Sequence, residues 1–232
     1  MALVRILSGG AASGLLKDLA PQLSARGLSV EGTYGAVGAM RDKLLAGEPC
    51  DIVVLSQSLV DELQAQGHVV AGSARPIGKV RTGIAVKAGE PLPTVEDRAS
   101  LLALLSGARA LYTPDTKKST AGQHVAHVLR QLGIEQQMAA KLREYPNGAT
   151  AMREMAACNE DGLVGCTQFT EILYTPGVQL AGGLPAEFEL ATVYTAAVCT
   201  GASNPAGAAD VAALLASDEA APQRKSGGFD PL

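Results

Sequence analysis

Ser8-Gly9-Gly10 stands in "VRILSGGAASGLL", residues 4–16, where a short apolar run stops and a helical pattern begins. A helix that starts at such a turn leaves backbone N–H groups unpaired beside the positive end of its dipole, which suits an anion. The same residues also fit plain turn chemistry, with Ser8 and Ser13 as caps and the glycines bending the chain. The pattern recurs. "GTYGAVGAM" places Thr33, Tyr34 and Gly35 at a strand-to-helix junction, and "YTPDTKKSTAGQHV" places Lys117, Lys118, Ser119 and Thr120 at another. "YPNGATAM" supplies Asn147, Gly148, Ala149 and Thr150, and "GCTQFT" supplies Thr167 and Gln168. Each junction alone is ordinary capping. Five on the same end of parallel strands would converge on one cleft, and a small oxyanion or carboxylate is its natural occupant.

Other chemistry is thinner. His124 and His127 are spaced i, i+3 on a helix whose Val125, Val128 and Leu129 read as the inward face. His124 lies one turn inside that helix, where the dipole favours a neutral imidazole able to act as a base, although packing would explain it too. No third residue completes a metal site, so neither metal nor cofactor is expected. Arg81, beside Lys79 and Thr82, either faces the cleft or is a solvated edge charge; its fork suits a carboxylate. The glycines at 9, 10 and 14 miss the GxGxxG spacing, and "TKKST" lacks the glycines of a P-loop. No GxSxG elbow is present.

The elements that would position these residues follow from composition and rhythm. The 232 residues are 47% hydrophobic but only 3% aromatic, with a net charge of -4 and no Lys/Arg-rich run, which argues against a nucleic-acid partner. Cys50, Cys158, Cys166 and Cys199 form no CxxC pair, and Cys50 and Cys199 adjoin apolar runs as reduced core residues do. No stretch approaches the ~20 apolar residues of a membrane helix. Nor does a secretion signal open the sequence, so a soluble cytoplasmic protein is expected.

Strand-like and helical runs alternate. "LVRILS" leads to a helix to about Arg26, "LSVEGTY" to a helix over 36–46, and the continuous apolar "CDIVVLS" to one from Gln57 to near Gly67. After a long strand at about 79–87, helices are expected over 95–105, 120–132 and 149–157, with strands "ARALYT", "KLREYP" and "DGLVGCT" between them. A second long strand, "ELATVYTAAVCT", precedes helices starting at Asn204-Pro205 and Ser217, and the tail "KSGGFDPL" is expected across the surface. Short connections imply parallel strands with right-handed crossovers. The two long strands read as crossings between two α/β lobes with mostly parallel sheets: 1–82 with 193–232, and 83–192. The ligand cleft would lie between them.

In this order the sequence resembles the type II periplasmic substrate-binding proteins, particularly the molybdate-binding branch. The resemblance runs from "ILSGGAASGLLKDLAPQL" through "GTYGAVGAMRDKLLAGEPCDIVVLS" to "NPAGAADVAALLASDEA". It implies a tetrahedral oxyanion held by hydroxyls and backbone N–H groups, and a transporter as partner if the protein is exported. By position, Ser8 and Thr33 match the hydroxyls of the first lobe, and the backbone near Ser119-Thr120 and Ala149 matches the donors of the second. At "GCTQFT" that branch presents a tyrosine-led loop; here Cys166, Thr167 and Gln168 stand instead. A related branch, the aconitate-isomerase-like enzymes, implies an alternative. That alternative is a 1,3-proton shift on an unsaturated polycarboxylate, with His124 as base, Lys117 or Lys118 steadying the developing charge, and Tyr34 as a proton relay.

Overall fold

A computed structural model describes all residues from Met1 to Leu232. The chain divides into two compact units, Met1–Val80 with Thr192–Leu232, and Arg81–Ala191.

The first unit opens with β1 (Ala2–Gly9), which passes through a 3-10 turn, Gly10–Ala12, into α1 (Ser13–Asp18). The single helix expected to Arg26 is broken at Leu19. A second helix, α2 (Ala20–Ala25), starts there with Pro21 in its first turn, where a missing N–H costs nothing. β2 (Leu28–Gly35), α3 (Val37–Leu45), β3 (Ile52–Ser56) and α4 (Gln57–Ala65) follow, and β4 (Arg75–Lys87) carries the chain out of the unit. β1 pairs in parallel with both β2 and β3. All five residues of β3 are buried, as a strand covered on both faces requires.

The second unit contains α5 (Arg98–Gly107), β5 (Ala110–Pro114), α6 (Thr120–Gln131), the four-residue α7 (Glu135–Met138) and β6 (Leu142–Tyr145). It continues with α8 (Gly148–Ala157), β7 (Leu163–Gln168), α9 (Phe169–Leu173) and β8 (Val178–Gly183). β5 pairs in parallel with β6 and β7, while β4 runs antiparallel to β7 and β8. Helices cover both faces. One face packs Ile84, Leu111, Val164 and Cys166 against Val125, Val128 and Leu129 of α6. The other packs Ala85, Ala110 and Tyr112 against Ala151, Met152 and Met155 of α8. α7, α9 and β8 carry no strong periodic signal, being short segments fixed by packing.

β9 (Ala191–Val198) returns the chain to the first unit and pairs antiparallel with β3; α10 (Pro205–Ala216) and α11 (Ala221–Ser226) complete it. The tail does not simply lie across the surface. Phe229 is 4% exposed and meets the Tyr194 ring edge-on, and Asp230 bridges backbone to backbone with Lys79. A lone aromatic amid small residues has apolar area to bury, and that draws the end of the chain inward.

One buried carboxylate ties the distant parts of the first unit together. Asp51, 1% exposed at the start of β3, accepts from Arg5 N at 2.7 Å, Ser203 N at 2.7 Å, Ser203 Oγ at 2.9 Å and Asn204 N at 2.9 Å. Asn204 in turn caps α10 through Gly207 N. Burial works against the Asp51 charge, but these donors outweigh it and hold the carboxyl below its ordinary range. Its contribution to stability is therefore present above the unfolded carboxylate pKa and fades as pH falls through the lowered value. Asp51→Ala should cost about 3 kcal/mol in urea unfolding at neutral pH, because several buried donors lose their acceptor. Unchanged stability at neutral pH would contradict this role.

Candidate functional site

The strand-to-helix junctions differ between the two units. In the first, the 3-10 turn, α1 and α3 have no side-chain cap, so neither Ser8 nor Ser13 plays the capping part. Ser8 is fully buried, and its hydroxyl donates to Gly9 O at 2.9 Å. A Cβ on Gly9 would fall against Val37 and Tyr194, so the turn sits hard on the start of α3. Gly10 begins the 3-10 turn, and Thr33 is half-buried next to Leu7 in the β1–β2 ladder. Tyr34 behaves differently. Its ring folds back over Gly32 and lines a groove of about 640 Å³ with Leu16, Lys17 and Pro21, and burial pushes its phenol up.

In the second unit, internal carboxylates accept from several backbone N–H groups close to the helix starts. Asp115 Oδ1 accepts from the backbone N–H of Lys117 at 2.7 Å and of Lys118 at 3.0 Å, and both lysine side chains are exposed. Ser119 caps α6, accepting weakly from Gly122 N at 3.4 Å, and Thr120 is the first helical residue. Gly122 has no room for a Cβ, which would strike the carbonyls of Pro114 and Asp115 at the end of β5. The helix start is thereby pressed onto the strand end.

At α8 the occupation is complete. Glu171, 6% exposed, accepts from the Thr167 hydroxyl at 2.5 Å and from the backbone N–H of Ala149, Gly148 and Gln168. Only glycine fits at 148, because a Cβ would collide with Glu171 Oε2 and Thr167 Oγ1. Thr150 N is committed to Asn147 Oδ1 at 2.8 Å, and Thr150 Oγ1 accepts from Arg153. Of the residues expected to offer donors to a ligand, Gly148, Ala149 and Thr167 thus pair with a carboxylate three residues beyond β7, and Thr150 N pairs with Asn147. Glu171 was not foreseen. Its signal is an acidic residue inside the otherwise neutral "GCTQFTEIL".

Gln168 stands apart. It is 3% exposed, and neither its amide nitrogen nor its amide oxygen has a partner. It lies directly opposite Thr82 across the β4–β7 ladder, so their side chains share a face. By alternation that is the face of Ile84, Val164 and Cys166, the one α6 covers, and Thr113 follows Leu111 onto it from β5. Thr82 and Thr113 are both fully buried, and both hydroxyls are unpartnered. Thr170 Oγ1, two residues beyond Gln168, is unpartnered as well. The apolar face thus ends in an orphaned polar patch at the carboxyl ends of β5 and β7, where parallel sheets present ligands. Leaving each such group unpaired costs about 1–3 kcal/mol.

Arg81 and His124 complete the inventory. Arg81, adjoining Thr82, lays its guanidinium over the Phe169 ring at 4.8 Å. His124 on α6 is half-buried with Nε2 2.7 Å from Phe188 O, so Nε2 donates to that carbonyl. His127 is exposed, its ring 6.5 Å from that of His124. No group of three or more His, Cys, Asp or Glu side chains is placed to hold a metal ion.

Two compact α/β units, each with parallel strands that end at helix starts, define the type II periplasmic-binding-protein fold. Residues 4–230 match the family described as bacterial extracellular solute-binding protein, and the chain belongs to that family. The Azotobacter vinelandii periplasmic molybdate-binding protein superimposes with a TM-score of 0.83 at 19% identity, over 99% of both chains. The sulfate-binding protein of Mycobacterium tuberculosis gives 0.75 at 18% identity, over 100% of this chain and 88% of that one. Aconitate isomerase of a Pseudomonas species is 26% identical over 98% of this chain and 87% of its own.

The titration of Glu171 offers a direct check. Burial pushes its carboxyl above the ordinary value, overriding the hydrogen bonds from Thr167, Ala149, Gly148 and Gln168. A raised carboxyl stabilises the fold most below its unfolded pKa and loses that contribution as pH rises through the folded value. Relative to Glu171→Gln, the unsubstituted protein should therefore gain stability towards acid in pH-resolved denaturant unfolding. The opposite slope would mean that the donors, not burial, set the charge.

Proposed function

We propose that the chain is a binding protein for a small anion, an oxyanion or an organic carboxylate. In the second unit the ligand would be held by the Gln168 amide, the Thr82 and Thr113 hydroxyls and the start of α6 at Ser119 and Thr120. Arg81 would supply a further donor there, and within the first unit Ser8, Gly9, Gly10 and Thr33 are the corresponding candidate donors. The orphaned Gln168 amide carries this reading, because a buried amide with no protein partner is stable only when a ligand or solvent pairs with it. Supporting it are family membership and the named ligands, molybdate and sulfate, of two proteins with the same fold. Neutral donors suit a fully ionised oxyanion, as they hold it by dipoles rather than by a counter-charge.

No helix is long and apolar enough to cross a membrane. The cytoplasmic expectation rests on the first residues of the sequence alone, and the matched family is described as extracellular.

Calorimetric titration with molybdate, sulfate and citrate tests the proposal. One of them should bind, and Gln168→Ala should weaken that binding about tenfold, roughly 1.4 kcal/mol, as expected for a buried hydrogen-bonding group. Affinity unchanged from that of the unsubstituted protein in both Gln168→Ala and Thr82→Val would place the ligand elsewhere.

A second reading is favoured by the aconitate isomerase relative and by His124. With Nε2 donating to Phe188 O, the ring is held so that only Nδ1 could take a proton from carbon, while Lys117 and Lys118 are exposed and could meet a polycarboxylate. Under this reading, cis-aconitate in deuterated water should acquire label and isomerise, and the label should vanish in His124→Ala but persist in His127→Ala. Absence of exchange with a bound unsaturated tricarboxylate leaves the binding function alone.

A further inference from the structure

The sulfurs of Cys50 and Cys199 lie 3.6 Å apart although the residues are 149 positions apart in the chain. Cys50 directly precedes Asp51 and β3, and Cys199 directly follows β9; Cys199 N donates to Asp51 O at 3.0 Å, and Cys199 bridges to Val69. Both thiols are free and buried, at 6% and 2% exposure. Each is one residue from exposed chain, Pro49 on one side and Thr200 on the other, so a local opening of either loop uncovers the pair. The other two cysteines differ. Cys166 is sealed in the core of the second unit with its thiol pushed up to about 12 by burial, and Cys158 is half-buried at the end of α8.

We propose that Cys50 and Cys199 form a dithiol that a low-molecular-weight disulfide oxidises to an intramolecular disulfide. The bond would staple the segment that precedes the second unit to the segment that follows it, all within the first unit. Cys50 is the attacking sulfur: the Cys199 S–H points at it and lowers its thiol, while Cys199 itself is raised by the same contact. The Cys50 thiolate attacks one sulfur of the external disulfide RSSR, forms Cys50–S–SR and releases one RS⁻. Cys199 then loses its proton and attacks the Cys50 sulfur, expelling the second RS⁻. The protein gives up two hydrogens and two electrons, and RSSR becomes two thiols. Cross-linking across so long a loop restricts the unfolded chain, so the oxidised form melts higher.

The test exposes the folded, reduced protein to oxidised glutathione, quenches in acid, alkylates in denaturant and maps the peptides by mass spectrometry. The expected product is a single Cys50–Cys199 cross-link, two hydrogens lighter and reversed by dithiothreitol, with Cys158 and Cys166 fully alkylated. Its melting temperature should exceed that of the reduced form by several degrees. Cys199→Ser should stop at a glutathione adduct on Cys50, which keeps the assignment testable if Cys50→Ser fails to fold. Four alkylated cysteines, a cross-link through Cys158 or an unshifted melting temperature would overturn the proposal. So would an adduct on Cys199 in Cys50→Ser together with none on Cys50 in Cys199→Ser.

Discussion

A helix that starts at the end of a parallel strand leaves N–H groups that something must accept, and this protein answers several of them with its own carboxylates. Asp51 takes the N–H groups of Ser203 and Asn204 ahead of α10 together with that of Arg5. Asp115 takes those of Lys117 and Lys118 ahead of α6, and Glu171 takes those of Gly148 and Ala149 at the first turn of α8. Each closes a loop that would otherwise fray.

Glu171 divides the sheet of the second unit by face. On the α8 face the donors are filled, Gly148 is forced by the carboxylate against it, and Thr167 is drawn into the same cluster. On the α6 face the polar end of the sheet stays open in chemical terms: Gln168, Thr82 and Thr113 are buried and unpaired. Adjacent residues on one strand, Thr167 and Gln168, thus serve opposite purposes. The strand's period of two separates a structural hydroxyl from an orphaned amide.

Much of the fold was legible from the sequence. The apolar "DIVVLS" run, the 3.6-residue spacing of Val125, Val128 and Leu129, and the Asn204-Pro205 cap are local signals that survive in the folded chain. Asp51 and Asn204 also entered the family resemblance, and the structure gives the physical reason, since they are joined in one network. The break at Leu19, the short α7 and α9 and the inward Phe229 depend on packing between distant residues, which no local pattern encodes. The junctions of the candidate site were visible as residue types, but not their state of occupation. Nothing in "YPNGAT" tells that Glu171, more than twenty positions on, fills its donors. Nor does "GCTQFT" tell which of Thr167 and Gln168 is spent; only the strand register and the partners assign them.

The central claim is that the ligand meets the Gln168 side of the sheet and not the α8 donors. Proton–nitrogen correlation spectra recorded while molybdate, sulfate or citrate is titrated into the protein read both sides in one experiment. With the ligand that binds, the account predicts saturable shifts of the Gln168 side-chain NH₂ signals and of the Ser119–Ala121 amides, with the Gly148 and Ala149 amides left near their free positions by Glu171. Saturable shifts of the Gly148 and Ala149 amides with a silent Gln168 side chain would contradict it.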